Sequence, residues 1–234
     1  MDFAEGEILS FDKPYGWTSF DVVGKVRWMI CNKSGIKKLK VGHTGTLDPL
    51  ATGVVVVCTG RSTKKIDELQ AQEKEYIATL QLGATTPSYD MEHPVDKTYT
   101  TEHITKELIT SAIKQFQGEI QQIPPAYSAV KVNGKRAYDY ARKGEEPDIK
   151  PKSVTINRID ILSFNPQSMQ LQLKIECSKG TYIRALARDI GQALGAGAYL
   201  TALRRTRSGD FRVEDSLTIE QFEKLLNSCT APTK

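Results

Sequence analysis

The string Gly42-His43-Thr44-Gly45-Thr46-Leu47-Asp48-Pro49-Leu50-Ala51-Thr52-Gly53 runs straight into four consecutive valines at 54–57. A short unbroken apolar run of this kind is a buried strand. The chain must therefore place a turn rich in glycine at the mouth of a core strand. Glycines at 42, 45 and 53 allow tight bending and close approach of a ligand to the backbone. Pro49 drives Asp48 out of helical geometry into extended backbone. One carboxylate thus stands on a rigid loop tied to the core, a usual location for chemistry. By composition alone the same residues also make an ordinary turn, since Gly, Thr, Asp and Pro are turn formers.

Around this loop, helical and strand patterns alternate irregularly. A helix is predicted from Thr18, with Asp21 in capping-box position and Val22, Val26, Met29 and Ile30 as its apolar stripe. A second is expected over 105–117, with Leu108, Ile109, Ala112, Ile113 and Phe116 inward. A third is expected over 181–194, where Ile183, Leu186, Ala187, Ile190 and Leu194 share a face and Gly195 ends it. A last short helix opens at Thr218. Strands are expected at 54–59, 74–82, 127–133, 154–164 and 170–177, and 143–152 reads as an exposed charged loop. No repeat or dividing linker is visible. The fold class is α+β, a mixed, largely antiparallel sheet with flanking helices.

Bulk properties narrow the function classes. At 234 residues the chain is long enough to bury a real core. No apolar run approaches bilayer-spanning length, and the acidic N-terminus lacks the parts of a signal peptide. Cys31, Cys58, Cys177 and Cys229 are far apart, with no CxxC or Cys/His cluster, so neither a zinc site nor a disulfide scaffold is indicated. A reduced, cytoplasmic location fits. The net charge of +4 is modest, but it is unevenly placed. Residues 179–212 carry seven basic side chains (Lys179, Arg184, Arg188, Arg204, Arg205, Arg207 and Arg212) against two acids. Lys33, Lys37, Lys38 and Lys40 lead into the glycine-rich loop. Two such clusters beside the two most distinctive motifs read as phosphate contacts.

The loop string G-H-T-G-T-L-D-P-L-A-T-G resembles the signature of the bacterial tRNA pseudouridine synthases of the TruB family. Further segments resemble that family in the same order. They are Asp12-Lys13-Pro14-Tyr15-Gly16-Trp17-Thr18-Ser19; Lys74-Glu75-Tyr76; Ile123-Pro124-Pro125-Ala126-Tyr127-Ser128-Ala129-Val130-Lys131 with Gly134 to Tyr138; Cys177-Ser178-Lys179-Gly180-Thr181-Tyr182-Ile183-Arg184; and Leu203-Arg204-Arg205. Together they span residues from about 8 to 220. The resemblance implies a long bent sheet with a central active-site cleft, in one catalytic domain over 1–234. It implies a segment around 89–146 that grips the T-arm. The substrate would be uridine 55 in the T-loop of tRNA, made into pseudouridine. Two departures stand out. The chain stops at Lys234, where many members continue into a small β-rich (PUA) RNA-binding domain. And after Leu82-Gly83 only Thr86 and Asp90 keep step with the family pattern.

The chemistry itself is undemanding of cofactors. The base must leave the stack, its N-glycosidic bond must break, and it must turn and reattach through carbon. No redox step or group carrier is needed, so no cofactor and no metal is expected. A carboxylate nucleophile, a flat surface for the loose base and a cation to orient the carboxylate would suffice. The resemblance gives these roles to Asp48, Tyr76 and Arg184. It implies that Tyr182 and Leu203 line the uracil site and that His43 contacts the flipped-out loop. Attack by Asp48 on the sugar or on the base both remain open here. The expected partner is the tRNA T-arm stem-loop, with no membrane and no obligate protein partner. A non-catalytic RNA-folding factor would use the same basic patches, but would tolerate Asp48→Asn. A glycosidase would need a paired acid, and the matched motifs contain none.

Overall fold

The structure is a computed structural model and describes residues 1–228; Cys229 lies outside the described residues. In chain order its elements are β1 (Ile8–Lys13), α1 (Ser19–Ser34), β2 (Val41–His43), β3 (Ala51–Thr59), a 3-10 stretch (Gly60–Lys65), α2 (Ile66–Ala71) and β4 (Lys74–Leu82). There follow β5 (Ala84–Thr85), β6 (Lys97–Thr98), α3 (Lys106–Lys114), β7 (Gly118–Gln122), β8 (Lys131–Val132), β9 (Lys135–Arg136) and α4 (Ala137–Ala141). The chain closes with β10 (Lys152–Asn165), β11 (Gln170–Cys177), α5 (Ile183–Ala193), β12 (Ala198–Ser208), β13 (Phe211–Arg212) and α6 (Ile219–Ser228). The fold class is α+β, as expected. Residues gather into two compact units, one of Met1–Glu75 with the chain from Arg204 on, the other of Tyr76–Leu203.

In the first unit β3 is the central strand. It pairs antiparallel with β1, from Ile8 opposite Cys58 to Lys13 opposite Gly53, and with β2, from Val41 opposite Thr59 to His43 opposite Val57. The four valines are buried, as their unbroken run demands. Gly53 has φ 106°, and a Cβ there would meet the Arg205 carbonyl oxygen at 2.1 Å, so only glycine lets β3 and β12 approach here. Helix α1 starts with a full capping box: Thr18 accepts from the Asp21 N–H and the Asp21 side chain accepts from the Thr18 N–H. Its stripe of Val22, Val23, Val26, Met29 and Ile30 is buried, and Gly35 ends it in left-handed geometry. Thr218 and Gln221 cap α6 in the same reciprocal way, and Phe222 of α6 packs edge-on against Phe11 of β1.

The second unit is built on β4, β11, β10 and β7, hydrogen-bonded in that order with β12 on the other side of β4. Strand β4 alternates buried and half-buried residues along its length, and β11 does the same after an exposed first residue. Helix α5 buries Ile183, Leu186, Ala187, Ile190 and Leu194, the expected face. On α3, Ile109, Ala112 and Ile113 are buried, but Leu108 is exposed, a correction to its assignment as inward. The predicted strand over 127–133 shrinks to the two-residue β8, which pairs only with β9 in a tight hairpin. Its β-branched and aromatic residues find no longer partner to pair with. Strands β1, β2, β7 and β12 were not predicted. Among the described residues Cys31, Cys58 and Cys177 are unbridged.

Candidate active site

The turn that carries Asp48 is fixed from both sides. Ser19, in the first turn of α1 and 1% exposed, bonds both backbone groups of Leu47: its Oγ accepts from the Leu47 N–H at 2.7 Å and donates to the Leu47 carbonyl at 3.2 Å. On the other side, the Pro49 carbonyl accepts from the Gly16 N–H at 2.9 Å and from Lys13 Nζ at 3.4 Å. The Asp48 carbonyl accepts from the Ala51 N–H at 3.0 Å, closing the turn. The two chain neighbours of the half-buried Asp48 are thus both held by residues 13–19. A side chain on a backbone so restrained loses little further entropy on reaching a reactive geometry.

Lys13 is wholly buried and also donates to the carbonyls of Pro14 and Trp17. Burial lowers its pKa to about 8, and the Asp48 carboxylate opposes that fall by favouring the ammonium. A lysine ammonium therefore acts electrostatically on Asp48 within this unit.

His43 ends β2. Its Nδ1 accepts from the Gly45 N–H at 3.2 Å, which assigns the neutral tautomer with the proton on Nε2. Burial pushes its pKa below the ordinary value, and the Arg205 charge acts the same way. His43 is thus a neutral donor at pH 7. Arg205 itself is 2% exposed, with Nε on the Val54 carbonyl (2.7 Å) and a terminal nitrogen on the Gly45 carbonyl (3.1 Å). It stitches the two ends of the glycine-rich loop together. Arg204 makes a two-nitrogen contact to Asp12 at 2.7 and 3.2 Å. Arg205, counted among the expected phosphate contacts, is instead an internal strut, whereas Arg204, with its side chain 40% exposed, is held by Asp12 at the surface. A guanidinium with several fixed donors suits that task.

In the second unit, Arg184 is 6% exposed. It is buried and engaged. Its terminal nitrogens donate to the carbonyls of Ser88 (3.1 Å) and Tyr127 (3.0 Å), and its Nε lies 3.6 Å from Asp90 Oδ2. Asp90 is buried too, its Oδ1 accepting from the Ser88 hydroxyl (2.6 Å) and the Glu92 N–H (3.0 Å). A buried guanidinium requires such a partner, because desolvating it alone is very costly. One turn on, Arg188 stacks over Tyr89, 5.2 Å from the ring centre, and donates to the Ile123 carbonyl. Tyr89 holds a left-handed φ of 62°, uncommon for a side chain of its size. Arg188, too, is an internal strut.

Tyr182 precedes α5 and is positioned by Gln122, which is buried. The Gln122 amide accepts from the Tyr182 N–H at 2.8 Å and donates to its carbonyl at 3.1 Å. Tyr76 is 8% exposed on β4, and Leu203 is half-buried on β12. The structure therefore places His43 and Asp48 on one loop of the first unit. Tyr76, Tyr182, Arg184 and Leu203 belong to the second, with Tyr182 and Arg184 two residues apart. Sequence reasoning missed four supporting residues: Lys13, Ser19, Asp90 and Gln122. The first two stand in a quoted motif, and Asp90 in the stretch that kept step with the family; nothing marked Gln122. Among the described residues no group of three His, Cys, Asp or Glu side chains is placed to hold a metal ion, and no helix is long and apolar enough to cross a membrane.

Comparison with known proteins bears directly on this arrangement. Residues 33–183 match the family described as TruB family pseudouridylate synthase (N terminal domain), and residues 184–231 match the tRNA pseudouridylate synthase B C-terminal domain. The chain is 60% identical to a tRNA pseudouridine synthase B of Phocaeicola vulgatus, over 97% of this chain and 96% of that relative. Among solved structures it resembles a Cbf5-Nop10-Gar1 complex, with TM-score 0.69 and 29% identity over 95% of this chain and 54% of that one. It also resembles an H/ACA RNP bound to a substrate RNA containing 2'-deoxyuridine, with TM-score 0.66 and 27% identity over 95% of this chain and 53% of that one. It thus spans about half the length of each of those chains.

Proposed function

Because the chain belongs to the TruB family of pseudouridylate synthases, we propose that it isomerises uridine 55 in the T-loop of tRNA to pseudouridine, with Asp48 as nucleophile. The observation that carries this reading is the restraint of the Asp48 turn, where Leu47 and Pro49 are both held by residues 13–19. A carboxylate that must meet a transient carbon centre needs a fixed backbone.

In this reading the target uridine leaves the stack and its base meets Asp48. Asp48 bonds to a carbon of the sugar or of the base, the N1–C1′ bond breaks, the uracil turns, a C5–C1′ bond forms, and the bond to Asp48 breaks again to regenerate the carboxylate. The C5 hydrogen is lost as a proton and N1 ends with a proton, so atoms and charge balance without a cofactor. Arg184 supplies the cation that favours and orients the carboxylate, its own direction set by Ser88, Tyr127 and Asp90. Tyr76 offers a ring to the loose base and a hydroxyl to the sugar. Tyr182 and Leu203 line the uracil site. His43 donates through Nε2 to the splayed RNA. The segment 89–146 grips the T-arm, and the enzyme works on tRNA in the cytoplasm.

The test is incubation of the protein with unmodified tRNA transcript, followed by carbodiimide mapping. A stop at position 55 is expected. No T-loop signal from demonstrably folded protein overturns the assignment.

A further inference from the structure

The outer face of α1 takes no part in the chemistry above. At about 100° of turn per residue, Phe20, Gly24, Arg27, Trp28 and Cys31 fall in one narrow stripe, opposite the buried Ser19, Val22, Val23, Val26, Met29 and Ile30. Phe20 is 68% and Trp28 58% exposed, two aromatic anchors about 12 Å apart along the axis. Phe20 is the most exposed large apolar side chain among the described residues. Between the two stands Gly24, a residue type that weakens a helix interior. A Cβ there would meet nothing within 4 Å, so no packing inside the chain requires glycine. Lys25 holds its ammonium 4.7 Å from the centre of the Trp28 ring, which restrains the indole. Asp21 gives Oδ2 to the Thr18 N–H and hydroxyl, leaving Oδ1 for an outside donor. Among the described residues Asp21, Lys25 and Arg27 are in no ion pair.

We propose that this face is the contact between two copies of the chain, their α1 helices paired antiparallel about a two-fold axis at Gly24. A two-fold contact must be self-complementary, and this stripe is. Asp21 and Lys25 lie along one edge of it, Phe20 and Arg27 along the other. Reversal about Gly24 brings Phe20 within one residue of the level of the partner's Arg27, on the same edge. It brings Asp21 within two residues of the level of the partner's Lys25. The first meeting sets a cation over a ring and the second pairs opposite charges, and each occurs twice. Parallel pairing would set like charges side by side. Gly24 supplies the notch, since its bare backbone lets the two helices approach closely. Tryptophan and arginine are the side chains that most often carry such contacts. A nucleic acid or a lipid surface fits less well, because Asp21 puts an anion where phosphates would sit. Two four-turn helices bury an area near or below the lower end of the standard range, about 1,200 Å². The association is therefore weak and reversible, with Kd about 10–100 μM. Nothing in this pairing depends on the reaction catalysed.

The experiment measures the mass of the full chain by sedimentation equilibrium from about 1 to 300 μM, a span that brackets this Kd. A rise from 26.0 kDa towards twice that mass is expected. Gly24→Gln fills the notch where nothing inside the chain stands in the way, and glutamine favours a helix more than glycine does. Its Tm at low concentration should equal or exceed that of wild type, while its Kd rises at least tenfold. Lys25→Glu sets an acid beside the partner's Asp21 and should weaken pairing by a similar factor. In a Trp17→Phe background Trp28 is the one indole left of two. Its emission should shift to the blue over the concentration range in which the mass rises. Wild type that stays at 26.0 kDa throughout overturns the proposal, and if tRNA affinity then falls in both variants, RNA is the occupant of the face. A dimer that keeps its affinity in both variants also overturns it, because that dimer uses another surface.

Discussion

Replacing Ser19 by alanine removes one oxygen and two hydrogen bonds, both to Leu47, the residue before Asp48. Ser19 is 1% and Leu47 3% exposed, so water does not replace the lost hydroxyl without local opening. Each orphaned buried backbone group costs about 1–3 kcal/mol. The carbonyl keeps a second acceptor site and sits at the low end of that range, which puts the whole loss at about 2–4 kcal/mol. For a chain of this length 1 kcal/mol moves Tm by about 2–4 °C, so a fall of roughly 4–16 °C is expected. The kinetic effect is separate. A displacement of about 1 Å at a reacting group costs on the order of 10²-fold in rate. Single-turnover pseudouridine formation, measured well below the new Tm at saturating tRNA, should fall by that order with tRNA affinity within twofold of wild type. Ser19→Cys, with a weaker donor of similar size, should fall between. A Ser19→Ala protein with wild-type Tm and rate would refute the claim that this hydroxyl holds the turn. A lowered Tm with an unchanged rate would leave it a packing residue only.

Gln122→Leu removes both bonds to the Tyr182 backbone, and should lower Tm by several degrees and slow the saturated rate more than it weakens RNA binding. Gly53→Ala forces a Cβ to 2.1 Å from the Arg205 carbonyl at φ 106°, so soluble folded protein should be largely lost, read by expression yield and thermal melting. Lys13 titrates near 8 in the fold against an ordinary 10.5, so the unfolded chain binds more protons between those values. Its contribution to stability is therefore lowest below pH 8 and rises with pH towards 10.5, by on the order of 3 kcal/mol. Urea unfolding at pH 7.5 and 10 should show wild type gaining on Lys13→Met across that window, and an equal pH dependence in both would refute the assignment.

What the sequence discloses and what it hides divides along physical lines. Local codes were legible. Thr18 with Asp21 marked the start of α1, and the strands expected at 74–82 and 170–177 coincide with β4 and β11. Strand β12 escaped because its buried residues include Arg205, whose charge argues for the surface until its two carbonyl partners are seen. Those partners are 151 and 160 residues away in the chain, and no local pattern encodes them. The same holds for the site. Asp48, Tyr76 and Arg184 were proposed through motifs. Gln122, which fixes Tyr182 from 60 residues away, and Asp90, which meets Arg184, are recognisable only when the chain has folded. Arg184, Arg188 and Arg205 were counted as phosphate contacts but are engaged inside, for one reason: charge density in sequence does not distinguish a guanidinium facing solvent from one satisfied inside.

The central claim is that Asp48 forms and breaks bonds rather than merely shaping an RNA-binding loop. Isomerisation must expel the hydrogen at C5 of the target uridine, so tRNA labelled with tritium at that position reports the reaction directly. Asp48→Asn is expected to bind this tRNA as wild type does and to release no tritium above background. Tritium release by Asp48→Asn at the wild-type rate would contradict the account.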